Sequence, residues 1–158
     1  MNKILVLIGF SLLAVLIQVT VGPWLSIADI RPDFILILVM LVGIKYGRVP
    51  GETYGFVFGM IVDFIGIGSF LGLSALAKTF AGFLAGFLKG RRTRLNSFTF
   101  YLFSGLIIFI HYAIFYLINF HSADHSIQFT AVRYIIPDAV YTLVIFIIFD
   151  YLFSPDNV

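Results

Sequence analysis

The chain contains no cysteine. That excludes disulfides, thiolate nucleophiles and cysteine-ligated metals, and leaves the redox compartment open. Charge is scarce as well: Asp, Glu, Lys and Arg make up 11% of 158 residues, against about 25% in an ordinary soluble domain. The net charge of +2 is small, and the basic residues are not interleaved with aromatics expected to be exposed, so nucleic acid is not an expected partner. GxSxG, HExxH, a Walker A loop and a dinucleotide fingerprint are all missing. No catalytic residue, cofactor or metal is therefore expected, and the chain does not read as an enzyme. What is abundant is apolar surface, at 61% of residues against about 45–50% in soluble domains. A small globule in water still needs a polar exterior. A lipid bilayer is the solvent that tolerates such a composition.

Only helices and closed barrels satisfy their backbone in lipid. The apolar runs are too long and continuous for barrel strands, so the expected fold is all-α, a polytopic membrane helix bundle. A spanning helix takes about 20 mostly apolar residues, and about 17 at the short end. The pattern predicts six helices in one integral membrane domain over 1–158, at about 4–21, 33–47, 52–65, 70–88, 98–119 and 131–153. Gly22-Pro23-Trp24 ends the first, with Trp24 at an interfacial position. The run after Lys3 is long for a signal peptide and has no small-x-small site behind it, so it reads as a retained membrane helix. Helices 2 and 3 are short, and a five-span arrangement with one re-entrant segment is the alternative. Lys and Arg near the helix ends set orientation. Six spans place Lys3, Lys45, Arg48, Lys89, Arg91, Arg92 and Arg94 on one side and Arg31 and Arg133 on the other. Both termini are then expected in the cytoplasm, with the basic 89–94 loop beside anionic lipid.

Helix 3 carries Gly51, Gly55 and Gly59 at spacing four, a smooth stripe for close helix approach, and Asp63 continues it. Helix 4 places Ala75, Gly82 and Gly86 on a face with Lys78. An unpaired charge in lipid is costly, so a structural Asp63–Lys78 ion pair is the favoured reading. A proton or ion pathway, or snorkelling without a pair, are the others. His111 and Asp138 fall at similar depth, with Tyr141 close by and Pro137 freeing a backbone carbonyl. Two readings apply to them: a His–Asp relay, or the favoured one, a buried polar contact between helices. His121, Asp124 and His125 suggest a metal face only weakly, since they sit in a loop without further ligands.

Arg31-Pro32-Asp33 before an apolar helix resembles the central region of the MreD family of rod shape-determining membrane proteins. Gly55-Phe-Val-Phe-Gly59-Met-Ile-Val-Asp63 resembles the family's glycine–glycine–aspartate signature, and Leu71-Gly72 continues the match. The likeness is strongest over about 31–86. It implies a non-enzymatic scaffold subunit of the bacterial cell-elongation machinery in the cytoplasmic membrane. It also implies MreC as direct partner, with MreB, RodA and a penicillin-binding transpeptidase in the wider assembly that makes peptidoglycan. The family is similar in fold to substrate-binding subunits of energy-coupling-factor vitamin transporters, so a vitamin-binding subunit is the rival function, with a small proton-coupled carrier as a third. Against the rival, the Ala-xxx-Ala docking stripe of such subunits is interrupted: Ala14 has Phe10 and Gln18 at those offsets.

Overall fold

The computed structural model describes residues 3–22, 24–27, 30–65, 70–121 and 126–153. Within them the chain is helical, with no strand beyond a single bridge in which Ile27 and Ile30 exchange both backbone hydrogen bonds. The helices are α1 (Lys3–Thr20), α2 (Phe34–Tyr46), α3 (Arg48–Phe64), α4 (Leu73–Ala85, prolonged by the 3₁₀ turn Gly86–Leu88) and α5 (Ser97–Asn119). The last rod, α6, begins as Ile127–Thr130, widens to a π-helical stretch Ala131–Ile135 and continues as Ile136–Phe153.

The helix boundaries have local causes. Asp33 caps α2 by accepting the Leu36 N–H at 2.8 Å, the usual service of an N-cap carboxylate. A single residue, Gly47, separates α2 from α3. Its φ of +105° lies in the region that favours glycine. The turn is thus tighter than the expected break at 47–51, and α3 starts at Arg48 rather than at Glu52. Pro50 is tolerated because the first helical turn has no internal partner for its missing N–H. Helix 4 begins at Leu73 rather than Phe70, because Gly72, at φ +91°, is its N-cap residue. Helix 6 begins four residues before the expected Ala131, with Ser126 as its cap. It passes through Pro137 by way of the π turn, in which the Ile136 N–H bonds the Ala131 carbonyl. Proline removes one helical hydrogen bond and crowds the carbonyl four residues back. A local i→i+5 turn relieves that conflict.

The short α2 is explained by its place. Ile35, Leu36, Ile37, Val39, Met40, Val42 and Gly43 are all buried, so α2 is the axis of the bundle, packed on by α1, α3, α4 and α6. It has no amphipathic stripe because neighbouring helices cover most of its surface. α3 and α4 make the most extensive helix–helix contact. The outer helices are the reverse of soluble core helices. α5 and α6 are long and apolar enough to cross a membrane, yet only 28% and 33% of their apolar stretches are buried. Leu102, Phe103, Leu106, Val140, Val144 and Ile148 point outward and are exposed. An apolar exterior around a packed interior is what lipid as solvent requires.

Candidate functional site

The α3–α4 seam is built from backbone. A Cβ on Gly51 would collide with the Gly82 carbonyl, on Gly55 with the Lys78 carbonyl, on Gly59 with the Ala75 backbone and on Gly86 with the Arg48 backbone. Gly43 of α2 joins them: a Cβ there would lie 2.7 Å from the Gly82 oxygen. The expected stripes, Gly51, Gly55, Gly59, Gly82 and Gly86, therefore meet each other inside the bundle, as close packing without a hydrophobic drive demands.

Asp63 ends the seam, but not as an ion pair. Its carboxylate accepts the N–H groups of Gly72 (2.9 Å), Ser74 (3.2 Å) and Ala75 (3.2 Å). These are orphan donors at the start of α4, whose N-cap is a glycine with no side chain to serve them. A negative charge at this end is also favoured by the helix dipole. Asp63 thus supplies the capping carboxylate that the Gly72 N-cap lacks, and Gly55, Gly59 and Asp63 form one device: the glycines bring α4 close and the carboxylate caps it.

Lys78 pairs instead with Asp33. The expected Asp63–Lys78 pair is corrected on this point. Both Asp63 oxygens already serve backbone donors, and the lysine stem reaches across to the start of α2. Side-chain exposure is 5% for Lys78 and 16% for Asp33, so each charge is compensated where water does not reach freely. The Asp33 N–H also donates to Thr142 Oγ1 at 3.3 Å, and Thr142 shares a 2.7 Å hydrogen bond with the Tyr112 hydroxyl. Pro32 is fully buried, and its carbonyl accepts from Gln18 Nε2 (3.3 Å) while Gln18 Oε1 accepts the Phe34 N–H (2.8 Å). Asp138 accepts the Arg31 backbone N–H at 3.2 Å and the Tyr116 hydroxyl. The Arg31-Pro32-Asp33 segment is therefore tied to α1, α4 and α6 at once.

His111 and Asp138 do not meet. Both are buried, but neither ring nitrogen of His111 has a hydrogen-bond partner, and its ring lies edge-on to Tyr112 with centroids 5.0 Å apart. Neither the relay nor a direct polar contact forms, because Asp138 is engaged by Tyr116 and Arg31. Tyr141 turns elsewhere and donates to the Leu25 carbonyl at 3.1 Å. Asp124 and His125 lie outside the described residues, and among the described residues no three acidic or histidine side chains gather as a metal site.

Some contacts carry little sequence signal. Gln18, Thr142 and Tyr112 are ordinary polar residues in apolar runs. Asp150 is buried in α6, where Arg92 and Tyr101 (3.0 Å) hold it. An acid inside an apolar run is costly in lipid, and that rule could have pointed to Asp150. At the same end of the bundle Lys89 donates to the Tyr46 carbonyl at 2.8 Å, and the Arg48 guanidinium lies 3.7 Å from the Phe87 ring centroid. The basic residues Arg48, Lys89 and Arg92 thus converge on one end, opposite Arg31.

An arrangement of capped helices, a central ion pair and a glycine seam holds a bundle together. A family model described as rod shape-determining protein MreD matches residues 1–154, nearly the whole chain. The chain belongs to the MreD family. MreD proteins are rod shape-determining membrane proteins, and the apolar exterior of this bundle is compatible with that setting. No curated protein and no solved structure matches the chain. The Arg31-Pro32-Asp33, Gly55–Gly59–Asp63 and Gly72 positions, read as the family motif, are the residues that cap α2 and α4 and close the seam.

Proposed function

We propose that this MreD chain is a non-enzymatic scaffold of the cell-elongation machinery that holds MreC by helix–helix packing within the membrane. In this reading 1–158 is a single six-span domain, similar in fold to energy-coupling-factor substrate-binding subunits, with both termini cytoplasmic. MreB, RodA and the penicillin-binding transpeptidase are reached through the assembly, in support of peptidoglycan synthesis.

The observation that carries the proposal is the split between the two kinds of surface. The small-residue stripes are used up inside, where Gly51 meets Gly82 and Gly59 meets Ala75, while the large outward faces of α5 and α6 are apolar and unshared. A partner with little outside the membrane to grip must use such faces, and would pack Leu, Ile and Phe against them. The loops present few convergent polar groups for a hydrophilic vitamin. Depletion is expected to turn rod cells round, and MreC is expected to stay on the tagged chain in mild detergent. Cells that keep their shape while vitamin uptake fails would reject the scaffold role in favour of transport.

A further inference from the structure

We infer that the groove between α1, α2 and α6 holds an acyl chain of an anionic phospholipid, with Lys45 at its phosphate. The inference rests on the membrane orientation proposed above. The groove has a volume of about 330 Å³ and is walled by Leu13 and Ile17 of α1, Leu38 and Leu41 of α2 and Phe149 of α6. Phe34 lies at one end and Lys45 at the other. Eleven residues of helix separate them, about 16 Å at the α-helical rise. Half of a hydrocarbon core of about 30 Å is about 15 Å, so the groove is one leaflet deep.

The mouth is positively charged. Lys45 is exposed and, among the described residues, has no acidic partner. The nearby Lys89 ammonium rests on the Tyr46 carbonyl, and the neighbouring acid, Asp150, is already held by Arg92 and Tyr101. A phosphate at this level completes the charge. In the proposed orientation this is the cytoplasmic leaflet, where anionic lipid is found. The walls offer a polar solute almost nothing to bond. A single flexible chain is the occupant whose length agrees with a groove about 16 Å long.

The test is native mass spectrometry of the full-length chain released from detergent, loaded with phosphatidylglycerol or phosphatidylcholine of identical acyl chains. Wild-type protein is expected to retain phosphatidylglycerol about fivefold better, the preference one lysine gives at a lipid surface. Lys45→Gln is expected to equalise the two lipids. Leu13→Trp, at a half-exposed position where a ring has room to enter the groove, is expected to lose both; Leu41→Trp repeats the block from the opposite wall. Free glycerol phosphate is expected not to compete, because the acyl chain carries the binding. Equal retention by wild type, or a preference that survives Lys45→Gln, overturns the inference. So does a groove-filled variant that keeps lipid but loses MreC, which would assign the groove to the protein partner. If wild type selects phosphatidylglycerol and never retains MreC, the lipid site stands and the scaffold reading falls.

Discussion

Lys78 of α4 makes its ion pair with Asp33 at the start of α2, forty-five residues away in sequence, while Asp63 of α3 takes the backbone donors of α4. The two acids of the motif therefore have different tasks. Asp33 neutralises a buried cation and caps its own helix. Asp63 caps a helix that cannot cap itself.

The pairing predicts a specific rescue. Removing one partner of a buried pair leaves an uncompensated charge, at about 3–5 kcal/mol. Lys78→Met is expected to lower accumulation in membranes sharply, and adding Asp33→Asn to restore much of it. Adding Asp63→Asn instead is expected to make matters worse, because α4 then loses part of its cap. Accumulation of the single and double variants, read as two mutant cycles, checks this; additivity in the Asp33 cycle would refute the pair.

Asp63 itself is expected to matter through geometry rather than charge balance. Asp63→Ala orphans three N–H groups, and hydrogen bonds to a charged group contribute about 1.5–3 kcal/mol each. Thermal unfolding in detergent is expected to shift down strongly for Asp63→Ala and less for Asp63→Asn, which keeps one acceptor. Lys78→Met is expected not to suppress the Asp63→Ala defect. Equal stability of the alanine and wild-type chains would exclude the capping role.

Two glycines separate packing from propensity. Gly59→Ala pushes a methyl group into the Ala75 backbone, and overpacking costs about 1–3 kcal/mol. Nothing lies within 4 Å of the Cβ position of Gly9, so Gly9→Ala is expected to be neutral or to stabilise by up to about 1 kcal/mol, the helix propensity gain. Unfolding midpoints of the two purified variants measure this. If Gly9→Ala leaves the isolated chain stable yet weakens MreC retention, Gly9 belongs to the partner surface.

Topology is checked at Ser97, an exposed residue at the start of α5 beside the basic end. The chain has no cysteine of its own, so Ser97→Cys introduces a single reactive site. An impermeant thiol reagent is expected to label it only after the cells are opened. Labelling from outside intact cells would reverse the proposed orientation.

Much of this was legible along the chain because it is local. Six apolar runs, the break near Gly47, the glycine stripe and the preference for lipid all follow from composition and spacing, which act within a few residues. The capping role of Asp33 was also readable, since an acid before an apolar run is a helix start signal. The boundaries that moved did so for local reasons as well: one glycine suffices for the α2–α3 turn, and Ser126 caps α6 four residues ahead of Ala131.

Which residues meet across the bundle was decided only by tertiary structure. Helical spacing puts Asp63 and Lys78 on packed faces, but it does not give the rotation of α4 against α2 and α3, and that rotation sends the ammonium to Asp33. Depth counting likewise set His111 level with Asp138, while in the folded bundle both His111 ring nitrogens lack a hydrogen-bond partner and Asp138 is taken by Tyr116 and the Arg31 N–H. In lipid no hydrophobic gradient orients one helix against another. The azimuth of each helix is settled by many close contacts together, and the Asp33–Lys78 pair is one product of that sum.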